Sequence, residues 1–183
     1  MSSPLDFSSF LATPEPPELG PGPRAGVQPQ AELSRALDNL FSQAELPVER
    51  QQLIRALLLL WHDQLGPAHE LSQSIDTADG AFVHGIMHRR EPDYGNAAYW
   101  FRRVGLHPAF PEIVRGISTI PESNSNPGLH RQLVGKGEWD PFAFIDACRS
   151  VATKPAVDPG QRYLREIQRI ETESLLNWFG QGR

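Results

Sequence analysis

His84 and His88 stand four residues apart, and His69 precedes them in the same central stretch of the 183-residue chain. On a helix, a spacing of four puts both imidazoles on one face. Two neutral imidazoles at that spacing are a workable pair of metal ligands. His69, carried by a neighbouring helix, would supply the third. Three protein ligands with an open fourth position is the arrangement of a catalytic zinc site. A divalent metal such as zinc is therefore the candidate cofactor. Glu70, beside His69, and Glu91, one turn beyond His88, are the candidate catalytic bases of a metal-dependent enzyme of the hydrolase kind. Tyr99 and Trp100 join His69, His84 and His88 as candidate ligand-binding residues.

Three readings of these residues stay open: a metal site, a polar ligand pocket without metal, and a structural hydrogen-bond network. The segment HGIMH lacks the adjacent Glu of the H-E-x-x-H motif. Arg89 and Arg90 follow it directly and would oppose a cation. Histidines next to Trp and Tyr often bond only to buried carboxylates or carbonyls.

A second pattern overlaps the first. Arg89, Arg90, Arg102 and Arg103, with Tyr94, Tyr99 and Trp100, could take an anionic or planar ligand by bidentate bonds and stacking. The competing reading pairs these arginines with Glu91 and Asp93 on the surface, and the acidic net charge of -5 favours it. That charge also argues against a nucleic-acid binder, which needs a basic stripe. No Gly-rich phosphate loop, Ser/His/Asp order or G-x-S-x-G is present. Cys148 lies on an apolar stripe, FAFIDACRSVA, and reads as a buried thiol. As the single cysteine it excludes an internal disulfide and fits a reducing compartment.

The elements that must position the histidines are helices. Gln51–Gly105 reads as two helical hairpins joined by a short polar turn. Val48–Leu65 carries Leu53, Ile54, the run Leu57–Leu60 and Trp61, so it is apolar around most of its circumference and should be central. His62 sits near its end. Pro67–Ile75 is a short helix with Ala68, Leu71 and Ile75 inward. Ala81–Glu91 follows, with Asp79 as its expected N-cap and Phe82, Val83, Ile86 and Met87 as its core stripe. Asn96–Val104 completes the second hairpin, and Gly105 is a natural stop. Gly66 and Gly95 are expected where helices come close or the backbone needs positive φ.

Around this stretch, Ala31–Ala44, Pro108–Ile120, Leu129–Val134, a helix from Pro141 and one from Pro159 to about Phe179 follow from apolar periodicity, with Asp140 and Asp158 as caps. PESNSNPG at 121–128 reads as a loop. Residues 1–29 hold seven prolines and read as a Pro-rich N-terminal arm, expected to be a free tail. Phe7, Phe10 and Leu11 form a small apolar cluster there that would dock if the arm were not free. The N-terminus has neither a basic region nor a long apolar one, so it does not read as a signal peptide. LLLL at 57–60 belongs to a run far too short to span a membrane.

Leu65-Gly66-Pro67-Ala68 and Tyr94-Gly95-Asn96-Ala97 align at an offset of 29 residues. Two helix–turn–helix copies at a fixed period suggest a solenoid-like core. NAAYWFRR is similar to the second helix of a tetratricopeptide unit, although that repeat has a period of about 34 residues. AHELSQSI with HGIMHRREPDYGNAAYWFRRVG resembles a family of small helical proteins of bacterial and fungal genomes. The resemblance covers roughly residues 50–110. It implies helices and no particular chemistry.

The expected architecture is all-α: one domain over 30–183 of about seven helices, with the two hairpins at its centre. The expected function is a helical protein that binds a small molecule or a protein partner in a His-containing polar pocket between the hairpins. The alternative is the metal-dependent enzyme using His69, His84 and His88. The expected location is the cytoplasm, with no nucleic-acid or membrane partner.

Overall fold

A computed structural model describes residues 5–121 and 126–181, and within them every regular element is a helix. In chain order these are α1 (Ser8–Leu11), α2 (Gln30–Ser42), α3 (Val48–Trp61), α4 (Leu65–Ser72), α5 (Ala78–Arg90), α6 (Tyr94–Val104), α7 (Phe110–Ile117), α8 (Pro127–Val134), α9 (Pro141–Val151) and α10 (Pro159–Phe179). The described helices number ten, not about seven. The helix without a counterpart in the sequence reading is α1 in the arm, whose single turn supplies too few inward positions for periodicity to resolve.

The caps explain most boundaries. Thr77, not Asp79, opens α5: its hydroxyl accepts from Gly80 N–H. Asp93 caps α6 by accepting from Asn96 N–H, and Asp140 and Asp158 cap α9 and α10 as expected. Gly105 ends α6 with a φ of 62°. The α4 helix begins at Leu65, ahead of Pro67, because the first-turn N–H groups have no helical partner for proline to remove. Of the 121–128 loop, residues 122–125 lie outside the described residues; Asn126 already caps α8.

Helix α3 lies at the centre. Its residues Leu53, Ile54 and Ala56–Trp61 are all buried. It pairs with α4 to form one hairpin, and α5 pairs with α6 to form the second. The hairpins meet along α3, α4 and α5, while α10 spans α3, α7 and α9. The buried apolar side chains make one continuous core.

Two expectations are overturned here. Gly66 and Gly95 have negative φ, and a Cβ at Gly66 would meet nothing within 4 Å. The close approach is at Gly85, where a Cβ would sit 2.8 Å from Phe101 Cε2. The arm is also not a free tail. Phe7, Phe10 and Leu19 are buried in the common core. The arm's carbonyls, which prolines leave unbonded within the arm, are taken by side chains of the helices: Arg165 donates to Pro16 O, Gln168 to Pro17 and Glu18 O, and Arg90 to Gly20 O.

Candidate metal centre

Residues Gly80–Arg90 of α5 are buried without exception, so the polar ones among them must find partners inside the protein. Arg89 does so through both terminal nitrogens on the Glu171 carboxylate of α10. Arg90 donates to Gly20 O and Leu60 O and pairs with Asp63 at 2.7 Å. These two arginines are therefore tie points of the fold and not a binding surface. Their partners are not Glu91 and Asp93: the carboxylates come from elements distant in sequence. Arg103 pairs with Asp76, and Arg102 is exposed. Tyr94 packs against the core edge and meets Arg149.

Arg89 leaves only its Nε unpaired, whereas His84 has no hydrogen-bond partner at all. His84 and His88 are 3% and 6% exposed. Both ring nitrogens of His84, and Nδ1 of His88, are buried without a hydrogen-bond partner. Leaving a buried polar atom unpaired costs about 1–3 kcal/mol.

The hairpins bring a third ring to these two. His69 of α4 stands edge-on to both, with ring centroids 4.8 Å from His84 and 5.3 Å from His88. His84 and His88 stack on each other at 4.8 Å, 14° from parallel. One potential ligand nitrogen from each of the three residues lies within 4.8 Å of the other two. Trp100 of α6 lies flat on the other face of His84, at 3.9 Å and 18°. Gly85 permits this stack, because only a residue without Cβ lets α6 come so close to α5 beside His84.

Burial holds His84 and His88 neutral. It pushes His84 down to about 4, and the neighbouring His88 and His69 push in the same direction. It also pushes His88 down, against the pull of Glu91 and Asp93. At neutral pH both rings thus offer a free lone pair without first losing a proton.

The other expected site residues fall outside this convergence. Glu91 is exposed; its Oε2 is 3.4 Å from His88 Nδ1, within ion-pair reach but off the line of a hydrogen bond. Glu70 is exposed on α4. Neither joins the three histidines as a converging group among the described residues. Tyr99 is exposed and meets only the edge of Trp100 within this set.

Sequence reasoning missed a separate hub around Asp79. Its Oδ1 accepts from His107 Nε2 at 2.7 Å and from Trp178 Nε1 at 3.0 Å, and Arg50 lies 3.7 Å from Oδ2. His107 Nδ1 accepts from Ala109 N–H, so both of its nitrogens are used structurally. These partners hold the Asp79 carboxyl below its usual range against the opposing effect of burial. The sequence signals this hub only by an acidic residue in the first turn of α5, a position equally suited to a cap. Cys148 is buried, and its thiol is pushed up to about 12 by desolvation, as expected of an inert core thiol.

No protein-family model matches the chain, and neither a curated protein nor a solved structure is similar to it.

Proposed function

We propose that this protein binds a divalent transition metal of the zinc type through His69, His84 and His88. The observation that carries the reading is that one nitrogen from each of His69, His84 and His88 lies within 4.8 Å of the other two, while both nitrogens of the buried His84 have no hydrogen-bond partner. A bound ion would satisfy groups that the protein leaves unsatisfied. Three neutral nitrogen donors without carboxylate or thiolate suit zinc, copper, nickel or cobalt and not magnesium or calcium. At Zn–N bonds of about 2.0–2.1 Å, tetrahedral ligand nitrogens stand about 3.4 Å apart, so the rings must turn inward slightly to close on an ion.

Glu91 supports the same reading in a different role from a base. A carboxylate beside the second nitrogen of a ligating histidine fixes its ring and strengthens its donor. Glu91 Oε2 lies 3.4 Å from His88 Nδ1, so Nε2 would be the ligand nitrogen of His88 and Glu91 would stand beside the other. The reading extends to metal binding and not to hydrolysis, since a base must reach the metal-bound water and neither glutamate converges with the ligands.

The test is metal titration of chelator-stripped protein, followed by elemental analysis and by Trp fluorescence, for which Trp100 on His84 is a built-in reporter. The expected result is one zinc or cobalt ion per chain. Metal at a hundredfold excess over Kd should stabilise the fold by about 2.7 kcal/mol. His84→Ala should abolish both effects. Wild-type protein that takes up no metal, with His84→Ala costing stability alone, would identify the cluster as a structural network.

A further inference from the structure

His62, at the end of α3, is absorbed by no part of the metal reading, yet it is 1% exposed and both of its nitrogens are engaged. Its Nε2 lies 2.9 Å from Phe10 O, and its Nδ1 accepts from Gln28 N–H at 3.1 Å. The backbone donor at Nδ1 fixes the tautomer: the proton sits on Nε2 and is donated to Phe10 O. One imidazole thus closes a loop of arm from Phe10 to Gln28.

Beside it, the loop is fastened by charge. Asp63 follows His62 with a φ of 60°, a left-handed conformation that Asp tolerates better than most residues. Its carboxylate accepts from the backbone N–H of Arg24 at 2.9 Å and from the Arg24 guanidinium at 2.7 Å. Arg90 of α5 holds the same carboxylate and Gly20 O. Arg24 also donates to Trp61 O. From α10, Arg165 and Gln168 hold Pro16, Pro17 and Glu18.

We propose that residues 10–28 form a strap whose docking depends on a neutral His62, so that acidification releases this segment from an otherwise folded protein. A second proton on the ring would set an Nδ1–H against the Gln28 N–H. One bond would become a donor–donor clash inside the core. The charged groups around the ring do not cancel this: Arg24 of the arm opposes the new charge, and Asp63, which favours it, is already committed to Arg24 and to Arg90 of α5. Burial, aided by Arg24, lowers His62 from its ordinary value, against the Phe10 carbonyl and Asp63. The docked strap therefore loses stability as pH falls through and below about 6.5, the range in which a released His62 takes up its proton.

The test is hydrogen exchange on the full chain between about pH 7.5 and about pH 5, expressed as protection relative to intrinsic rates. Gln28 N–H should lose at least about tenfold in protection across that range while Leu57 and Leu58 in α3 stay far better protected than Gln28 at every pH. His62→Asn and His62→Gln cannot titrate, so whatever protection Gln28 has in them should stay flat with pH. Constant protection at Gln28 in the wild type overturns the proposal. So does a fall of α3 protection to the level of Gln28, which means global unfolding, or an unchanged pH dependence in both variants.

Discussion

At the scale of single residues, the decisive contrast lies within one helix. Arg89, Arg90, His84 and His88 are all buried on α5, and the arginines meet carboxylates or carbonyls while His84 meets only rings. A histidine kept neutral by burial, with its folded value at about 4 and its unfolded value at about 6.5, contributes stability that is complete above about pH 6.5. That stability drains away as pH falls toward 4, to a total of about 3 kcal/mol at most. Denaturant midpoints of chelator-treated protein at a series of pH values should show the loss. The difference between wild type and His84→Phe isolates the contribution of His84 from that of His62. Parallel curves for the two proteins would mean that His84 is not held neutral by burial.

At the scale of elements, the site depends on how closely α6 can lie on α5. Phe101 touches the space where a Gly85 side chain would be, and its neighbour Trp100 covers His84. Gly85→Ala should destabilise by about 1–3 kcal/mol and weaken metal-dependent Trp quenching, because helix spacing and the Trp100 stack change together. Gly66→Ala, in open space on the first turn of α4, should be neutral or stabilising by up to about 1 kcal/mol. Thermal melts of the two variants decide this; equal losses would remove the close approach as the reason for Gly85. The amino-acid order places Gly85 inside a helix and Gly66 at the start of one. It does not show which one faces a partner helix, because contact across a hairpin depends on the rotation of each helix about its axis.

At the scale of the whole molecule, the arm belongs to the fold. Burial of Phe7, Phe10 and Leu19 is worth about 1.5–3 kcal/mol for each large side chain. Removing residues 1–28 also strips partners from Arg90, Arg165, Gln168 and Asp63. The truncated chain should lose more than about 2 kcal/mol in denaturant unfolding. An unchanged midpoint would show that the arm's contacts carry no net stability. Acid release of the strap differs from truncation, since it leaves Phe7, ahead of the His62 clasp, in the core. Among the described residues, no helix is long and apolar enough to cross a membrane.

Periodicity and caps alone were enough for the all-helical class, the buried α3, the starts of α9 and α10 at Asp140 and Asp158, and the shared face of His84 and His88. All of these are local: each rests on residues within one or two helical turns of one another. The expected approach of His69 from a neighbouring helix is realised by the packing of α4 on α5. The rest is decided by pairs far apart in the chain. Arg89 finds Glu171, Arg90 finds Asp63 and Gly20, Asp79 finds His107 and Trp178, and His62 finds Phe10 and Gln28. A polar residue's type says that it needs a partner when buried, but only the tertiary packing determines which distant donor or acceptor comes within about 3 Å of it.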